Sequence, residues 1–169
     1  WFNGNTFKAD FFYERSFSSL FGDDDTFGAS LSYPNEPFST RFSFKQVGEN
    51  FDPALGFVNR TGIRMYDGNF VIHQAVADSS IFRWWETGTW YTFVTGLDDH
   101  MQSRENGVWA GLMTPETDVA FLNIFNDFEA VPAPFFLPHA VLVPAGDYTW
   151  TNASLHAESS IARPLSFTG

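Results

Sequence analysis

The chain has 169 residues, of which 19% are aromatic, and it carries a formal net charge of −11 with no cysteine. This acidic balance disfavours nucleic acid as a partner, since phosphate backbones repel a negative surface, and the lack of thiols excludes disulfides and thiolate metal sites. Phe alone supplies 21 residues, more than the core of one domain of this length needs, so the location of the surplus is the first question that the sequence raises.

Two predicted strands that flank the turn 34–37 alternate apolar and polar side chains. An alternation of period two is typical of a β-strand whose two faces meet different surroundings. The contrast is strongest in the second of these strands, where Phe42 and Phe44 fall on one face and the cations Arg41 and Lys45 fall on the other.

The segment 48–57 interrupts this alternation. Pro53 cannot donate a hydrogen bond to a neighbouring strand and fixes its own φ, while Gly48 and Gly56 permit backbone angles that other residues avoid. The sequence therefore predicts that the segment leaves the sheet as a short excursion, folded against the wall or into the interior. Its predicted members are Glu49, Phe51, Asp52, Pro53, Gly56 and Phe57.

The rest of the chain reads as further strands separated by turns, with one long proline-rich loop predicted over residues 131–146, because prolines are excluded from central strands. We predict about eight to nine strands and no helix. This pattern indicates an all-β fold, an antiparallel meander forming a β-barrel or part of a transmembrane β-barrel. Residues 1–169 are predicted to be a single barrel domain or a barrel fragment, with parts missing at both ends.

The alternation fits two environments. In a soluble sandwich or barrel the apolar faces point inward, whereas in an outer-membrane barrel they meet lipid and the polar faces line the lumen. The aromatic surplus favours the membrane, because outer-membrane strands place aromatic rings at both lipid–water interfaces. The predicted aromatic anchors are Trp84, Trp85, Trp90, Tyr91, Tyr148 and Trp150.

Arginine side chains that faced lipid near the bilayer midplane would cost about 2–4 kcal/mol each. We therefore expect the cations to face the lumen, where they can pair with inward carboxylates. Arg60 and Arg64 are expected to share one face at period two. The predicted lumen-lining or solute-binding residues are Arg41, Lys45, Arg60 and Arg64.

The segment 47–64, with the sequence VGENFDPALGFVNRTGIR, closely resembles a signature of the DUF5916 family, in which G-E-N-F-N-P-E-x-G-F-V-x-R-T-D-x-R follows a barrel strand. Asp52, Ala54 and Gly62 depart from the family pattern. A second segment, 141–169, is similar to the family's P-x-G-x-Y-x-[WF] strand, serine-rich strand and R-P-L sequence. The resemblance implies a bacterial outer-membrane-like β-barrel, the C-terminal part of proteins whose N-terminal domain resembles a family-9 carbohydrate-binding module.

No catalytic constellation, cofactor motif or metal-ligand spacing is present in the sequence, so we expect neither an enzyme nor a metal protein. The favoured function is an outer-membrane β-barrel that acts as a pore, receptor or translocation scaffold for a solute, with lipid as its main partner. One alternative is a soluble all-β domain whose tryptophans stack on an oligosaccharide. The other is a structural subunit that packs its aromatic faces against other chains of a larger assembly.

Overall fold

The computed structural model describes residues 6–53, 56–77 and 81–169, and these residues form an all-β structure. The eight long strands are β1 (Lys8–Ser18), β2 (Gly22–Pro34), β3 (Phe38–Val47), β4 (Ile63–Ala75), β5 (Trp84–Gly96), β6 (Met101–Met113), β7 (Val119–Val131) and β10 (Gly146–Glu158). They make one antiparallel sheet in the order β1-β2-β3-β4-β5-β6-β7-β10, so the predicted antiparallel meander is confirmed.

The proline-rich connection between β7 and β10 is more ordered than a plain loop. It contains a short hairpin of β8 (Phe135–Leu137) and β9 (Val141–Val143), which pair with each other around the 3-10 turn Pro138–Ala140. The prolines lie outside both three-residue strands, which agrees with their exclusion from a hydrogen-bonded ladder.

Side chains alternate between the two faces of the sheet because successive residues of a strand point in opposite directions. The residues paired across all eight strands give each face a consistent chemical character. We call the face that carries Phe42 the apolar face and the face that carries Arg41 the polar face.

The connections also distinguish the two ends of the sheet. The turn 19–21, the segment 48–62, the turn 97–100 and the connection 132–145 lie at one end, which we call the strap end. The opposite end, which we call the turn end, carries the connections between β2 and β3, β4 and β5, and β6 and β7.

The described residues pair β1 only with β2, so the eight-stranded sheet is open along that edge. The edge of β10 that faces away from β7 is partly paired with the last described residues of the chain. Ala157 and Gly169 exchange two backbone hydrogen bonds of 2.9 and 3.0 Å, and Ser159 donates to the carbonyl of Phe167 at 2.9 Å. The last described residues therefore run antiparallel to β10 along its outer edge.

Very little of the described chain is buried. The buried hydrophobic residues are Val47, Phe51, Ile63 and Val94, all close to the strap end. The accessible surface is 11821 Å², compared with roughly 8,400 Å² expected for a compact monomer of this mass. The sheet therefore lacks the second layer that would bury its faces in an ordinary soluble domain.

Candidate functional site: the polar face and the segment that crosses it

The segment 48–62, which we call the strap, leaves the sheet after β3 and returns to it at β4. Its base is closed by Gly62, which donates its N–H to the carbonyl of Gly48 at 3.1 Å. Gly62 has a φ of 67°, in the left-handed region that glycine adopts most readily. The structure thus has a folded excursion between β3 and β4, and it describes residues 48–53 and 56–62 of it.

The first part of the strap is fixed to the two neighbouring strands β1 and β2. The carboxylate of Asp24 accepts the N–H of Asn50 at 2.8 Å, and the hydroxyl of Ser16 accepts the N–H of Asp52 at 3.0 Å. Gly48 lies so close to the Asp24 carboxylate that a Cβ at this position would clash with it. A larger residue at position 48 would displace the Asp24 carboxylate from its hydrogen bond to Asn50.

Phe51 is the hydrophobic anchor of the strap. Its side chain is 5% exposed and packs with Val47, Ile63 and Val94, while Val58 from the later part of the strap packs against the same cluster. The register Val47↔Ile63 and the pairing of Met65 with Val94 place this cluster on the polar face. The strap therefore lies over the polar face, and Phe51 is the buried hydrophobic residue of its described part.

The other predicted members of this segment are less buried. Gly56 donates its N–H to the carbonyl of Pro53 at 3.3 Å. Glu49 and Asp52 are exposed, and Phe57 is 89% exposed.

Arg60 carries the strap across to the far side of the polar face. Its guanidinium donates to the carboxylate of Glu129 on β7 at 2.9 Å and to the hydroxyl of Ser103 on β6 at 3.3 Å. The strap thus contacts strands from β1 to β7. Both side chains of the Arg60–Glu129 pair are partly exposed. Since water screens such a pair, it orients the strap but adds little to its stability.

The four predicted lumen-lining cations do not share a face. Arg41 and Lys45 lie on the polar face together with Val47, and Arg60 reaches that face through the strap. Arg64 pairs in register with Gln46 and so lies on the apolar face, where it donates to the Gln46 side chain at 2.9 Å and forms an ion pair with Asp99. The predicted common face is therefore wrong for Arg64, because β4 begins at Ile63 and residues before it do not follow strand alternation.

The six predicted aromatic anchors are also divided between the faces. Trp85 and Tyr91 lie on the apolar face. The register places the other four on the polar face, and these are Trp84, Trp90, Tyr148 and Trp150. Proximity to a strand end did not distinguish the two groups, whereas the alternation along β5 and β10 separates them.

The polar face carries more carboxylates than cations, whereas the predicted lumen-lining residues were only arginines and a lysine. The strand cations on this face are Lys8, Arg41 and Lys45. The strand carboxylates on this face are Asp10, Glu14, Asp24, Asp67, Glu86, Glu105, Asp127, Glu129 and Glu158. Alternation applied to every charged residue would have found them.

Glycines in the sheet make room for aromatic rings on the directly opposite residue of the next strand. A Cβ at Gly88 would clash with the ring of Trp109, and a Cβ at Gly107 would clash with the ring of Trp90. Each indole therefore lies close over the backbone of its partner strand. Trp90 and Trp109 are 5.4 Å apart between ring centroids and donate their Nε1–H groups to Glu105 and Glu86.

A cluster of polar and charged side chains lies at the turn end, at the connection between β6 and β7. Asp118 accepts hydrogen bonds from the guanidinium of Arg163 at 3.0 and 2.5 Å and from the N–H of Ser160 at 2.9 Å. The Arg163 hydrogen bonds, followed by that of Ser160, lower the pKa of Asp118 from its ordinary value of 3.8 to about 2, and the same contact raises the pKa of Arg163. This cluster holds the chain after β10 in position for its pairing along the β10 edge.

We expect acid to release this cluster. Because the pKa of Asp118 is depressed, its ionised form stabilises the contact fully above its ordinary value of 3.8, and this contribution is lost as the pH falls towards 2. Hydrogen exchange of residues 157–169, corrected for intrinsic rate, should therefore lose protection between those pH values. Asp118→Asn should exchange rapidly on both sides of the transition, and an unchanged pH profile in this variant would contradict the assignment.

Among the described residues, no helix is long and apolar enough to cross a membrane. The same residues contain no group of three or more His, Cys, Asp or Glu side chains arranged to hold a metal ion. No family model, curated protein or solved structure matches the chain. The resemblance of segment 47–64 to the DUF5916 signature thus stays a prediction.

Proposed function

We propose that the chain is a section of the wall of a bacterial outer-membrane β-barrel, which acts as a pore, receptor or translocation scaffold for a solute. In this proposal the apolar face meets lipid and the polar face, with its strap, lines an aqueous lumen. The similarity of segment 47–64 to the DUF5916 signature supports the same assignment.

One observation carries the proposal, namely a band of uncharged, exposed apolar side chains that crosses every long strand on one face. Each of the eight long strands contributes at least one member that is 39% or more exposed. In an ordinary soluble sheet such a face is covered by a second layer, and no second layer packs on it in the described ranges. One member from each strand, in sheet order, is Phe11, Leu31, Phe42, Phe70, Trp85, Val108, Leu122 and Leu155.

The band runs obliquely to the strands. Leu31 of β2 pairs with Phe42 of β3, and the same line of paired residues reaches Thr151 on β10. The band member of β10, however, is Leu155, which lies four residues nearer the turn end than Thr151. Strands of membrane barrels tilt by roughly 35–45°, so a flat lipid layer meets each successive strand at a shifted position. The drift of the band is what tilted strands in a bilayer require.

Charged side chains on the apolar face occur only towards the strap end of the long strands. Arg15 lies 3.6 Å from Asp23, and Arg104 donates to the side chain of Asn126 at 2.6 Å. Charges near the membrane interface cost far less than charges at the midplane, so this edge fits the level of lipid headgroups. The charged residues of the edge are Arg15, Asp23, Asp25, Arg64, Arg104 and Asp147.

Two adjacent tryptophans provide the test. Trp85 is on the apolar face and Trp84 is on the polar face, so only Trp85 should touch lipid. In vesicles of brominated phosphatidylcholine, Trp85→Phe should remove a large share of the lipid-dependent quenching of tryptophan fluorescence. Trp84→Phe should leave that share unchanged, and the folded chain should migrate differently on a gel before and after heating.

The opposite pattern would reject the membrane assignment. If Trp84→Phe reduced the quenching while Trp85→Phe did not, the polar face would be the one in lipid. A chain that was monodisperse in water without detergent would instead favour the soluble alternative, and co-purification with a stoichiometric partner that covered Trp85 would favour the structural subunit.

A further inference from the structure

We propose that the polar face binds a neutral oligosaccharide in a cleft beside Trp150, with one sugar ring stacked on the indole. The cleft has a volume of about 310 Å³ and lies between β5 and β10. Small-ligand sites of roughly 300–1,000 Å³ combine an apolar or aromatic wall with a few convergent polar groups. This proposal rests on the proposed function only in taking the polar face to be in contact with water.

Side chains of four neighbouring strands, β5, β6, β7 and β10, form the wall of the cleft. One row of directly paired residues consists of Thr92, Glu105, Asp127 and Trp150, and the next row towards the strap end includes Ser103 and Glu129. Because paired residues on one face have Cβ atoms about 5 Å apart, these side chains form a continuous surface.

Trp150 is suited to bind a ligand because its ring is not committed elsewhere. It is 45% exposed and covers no glycine, unlike Trp90 and Trp109, whose rings lie over the backbone of the adjacent strand. An exposed indole on a water-filled face offers a flat apolar surface, which the C–H face of a pyranose ring can cover.

The polar groups of the cleft can form hydrogen bonds with the hydroxyl groups at the edge of a sugar ring. Glu105 already accepts the Nε1–H of Trp90 at 3.2 Å, which fixes its carboxylate at the cleft wall. No described residue donates a hydrogen bond to the carboxylate of Asp127, so its oxygens are available to accept hydroxyl groups. The hydroxyls of Thr92 and Ser103 can both donate and accept.

The hydrogen-bonding groups at the cleft, rather than its net charge, distinguish a sugar from a simple cation. The strap brings Arg60 to the rim of the cleft through its 2.9 Å contact with Glu129. This guanidinium offsets part of the negative charge and supplies donors, so a ligand needs acceptors as well as donors. A sugar hydroxyl provides both, whereas a quaternary ammonium ion provides neither a hydrogen-bond donor nor an acceptor.

The aromatic residues beyond the cleft extend the same surface. Trp90 lies between Trp109 and Phe125, with ring centroids 5.4 and 5.1 Å away. The neighbouring Asn123 contacts Ser154 at 3.5 Å across β7 and β10. A row of rings beside amide and hydroxyl groups suits an elongated chain of sugar units more than one compact molecule.

The test is a fluorescence and calorimetric titration of the detergent-solubilised chain with maltohexaose, cellohexaose and xylohexaose, and with choline as the cationic probe. We expect at least one hexasaccharide to bind, and Trp150→Ala to weaken its association constant by about tenfold or more. Trp85→Ala is the matched control, because Trp85 has similar exposure on the apolar face; it should bind the sugar like the parent chain. Asp127→Asn should also weaken binding while leaving the circular dichroism spectrum unchanged.

Three results would overturn the proposal: equal sugar affinity in the parent chain and Trp150→Ala, binding of choline alone, or no heat and no fluorescence change with any hexasaccharide at millimolar concentration. These results are independent of the brominated-lipid experiment, which reports on Trp84 and Trp85. A chain that enters lipid but binds no sugar would thus reject the cleft and retain the barrel wall.

Discussion

Leu122→Arg is expected to destabilise the membrane-inserted chain by about 2–4 kcal/mol, the cost of an arginine side chain near the bilayer midplane. Leu122 lies in the apolar band, 47% exposed, and pairs with Ala110 on one side and Leu155 on the other. None of the described carboxylates of the long strands lies on this part of the face to pair with a new cation. Urea unfolding from phospholipid vesicles measures the change directly.

The adjacent Asn123→Arg is the matched control. Asn123 lies on the polar face, next to Trp109 and Ser154 in register, where the nearby carboxylates favour a cation. Its unfolding free energy should stay close to that of the parent chain. If Asn123→Arg were the more damaging of the two, the polar face would be a dry interior and the apolar face would not meet lipid.

Phe51→Ala is expected to detach the strap from the polar face. Truncating a buried phenylalanine costs about 3–5 kcal/mol, and Phe51 belongs to the buried cluster with Val47, Ile63 and Val94. The remaining attachments are backbone hydrogen bonds to Asp24 and Ser16 and the partly exposed Arg60–Glu129 pair, which together compensate poorly for the lost apolar contact. Limited trypsin digestion should therefore cut after Arg60 much faster in this variant than in the parent chain.

Phe57→Ala tests whether burial, rather than the loss of any aromatic ring, controls the strap. Phe57 lies in the same segment but is 89% exposed, so its truncation should leave the rate of cleavage after Arg60 unchanged. Equal protection of Arg60 in Phe51→Ala and in the parent chain would show that the polar contacts alone hold the strap in place.

Alternation of side chains predicted the strands, their antiparallel order and the contrast between the two faces of β3. This was predictable because the period of two is a local property of extended backbone. The excursion after β3 was predictable for the same kind of reason, since Pro53, Gly48 and Gly56 restrict or free the backbone where they stand.

The contacts that give the polar face its character were not predictable from local sequence. Arg60 pairs with Glu129, 69 residues later in the chain, and only the path of the strap and the register of the sheet bring them together. The face of Arg64 depends on where β4 starts, which Gly62 sets through its positive φ. The prediction extended strand alternation from Arg60 through Gly62, so it assigned Arg64 to the wrong face.

The strap sets a lower limit on the bore of the barrel to which the proposed wall belongs. A ring of about eight strands has an interior that its own side chains fill. The strap lies over the polar face from Ser16 on β1 to Glu129 on β7, and its Phe57 is 89% exposed. In a ring closed by β1 against β10 the strap would compete with the strand side chains for this small interior, so we expect the proposed barrel to have more than eight strands.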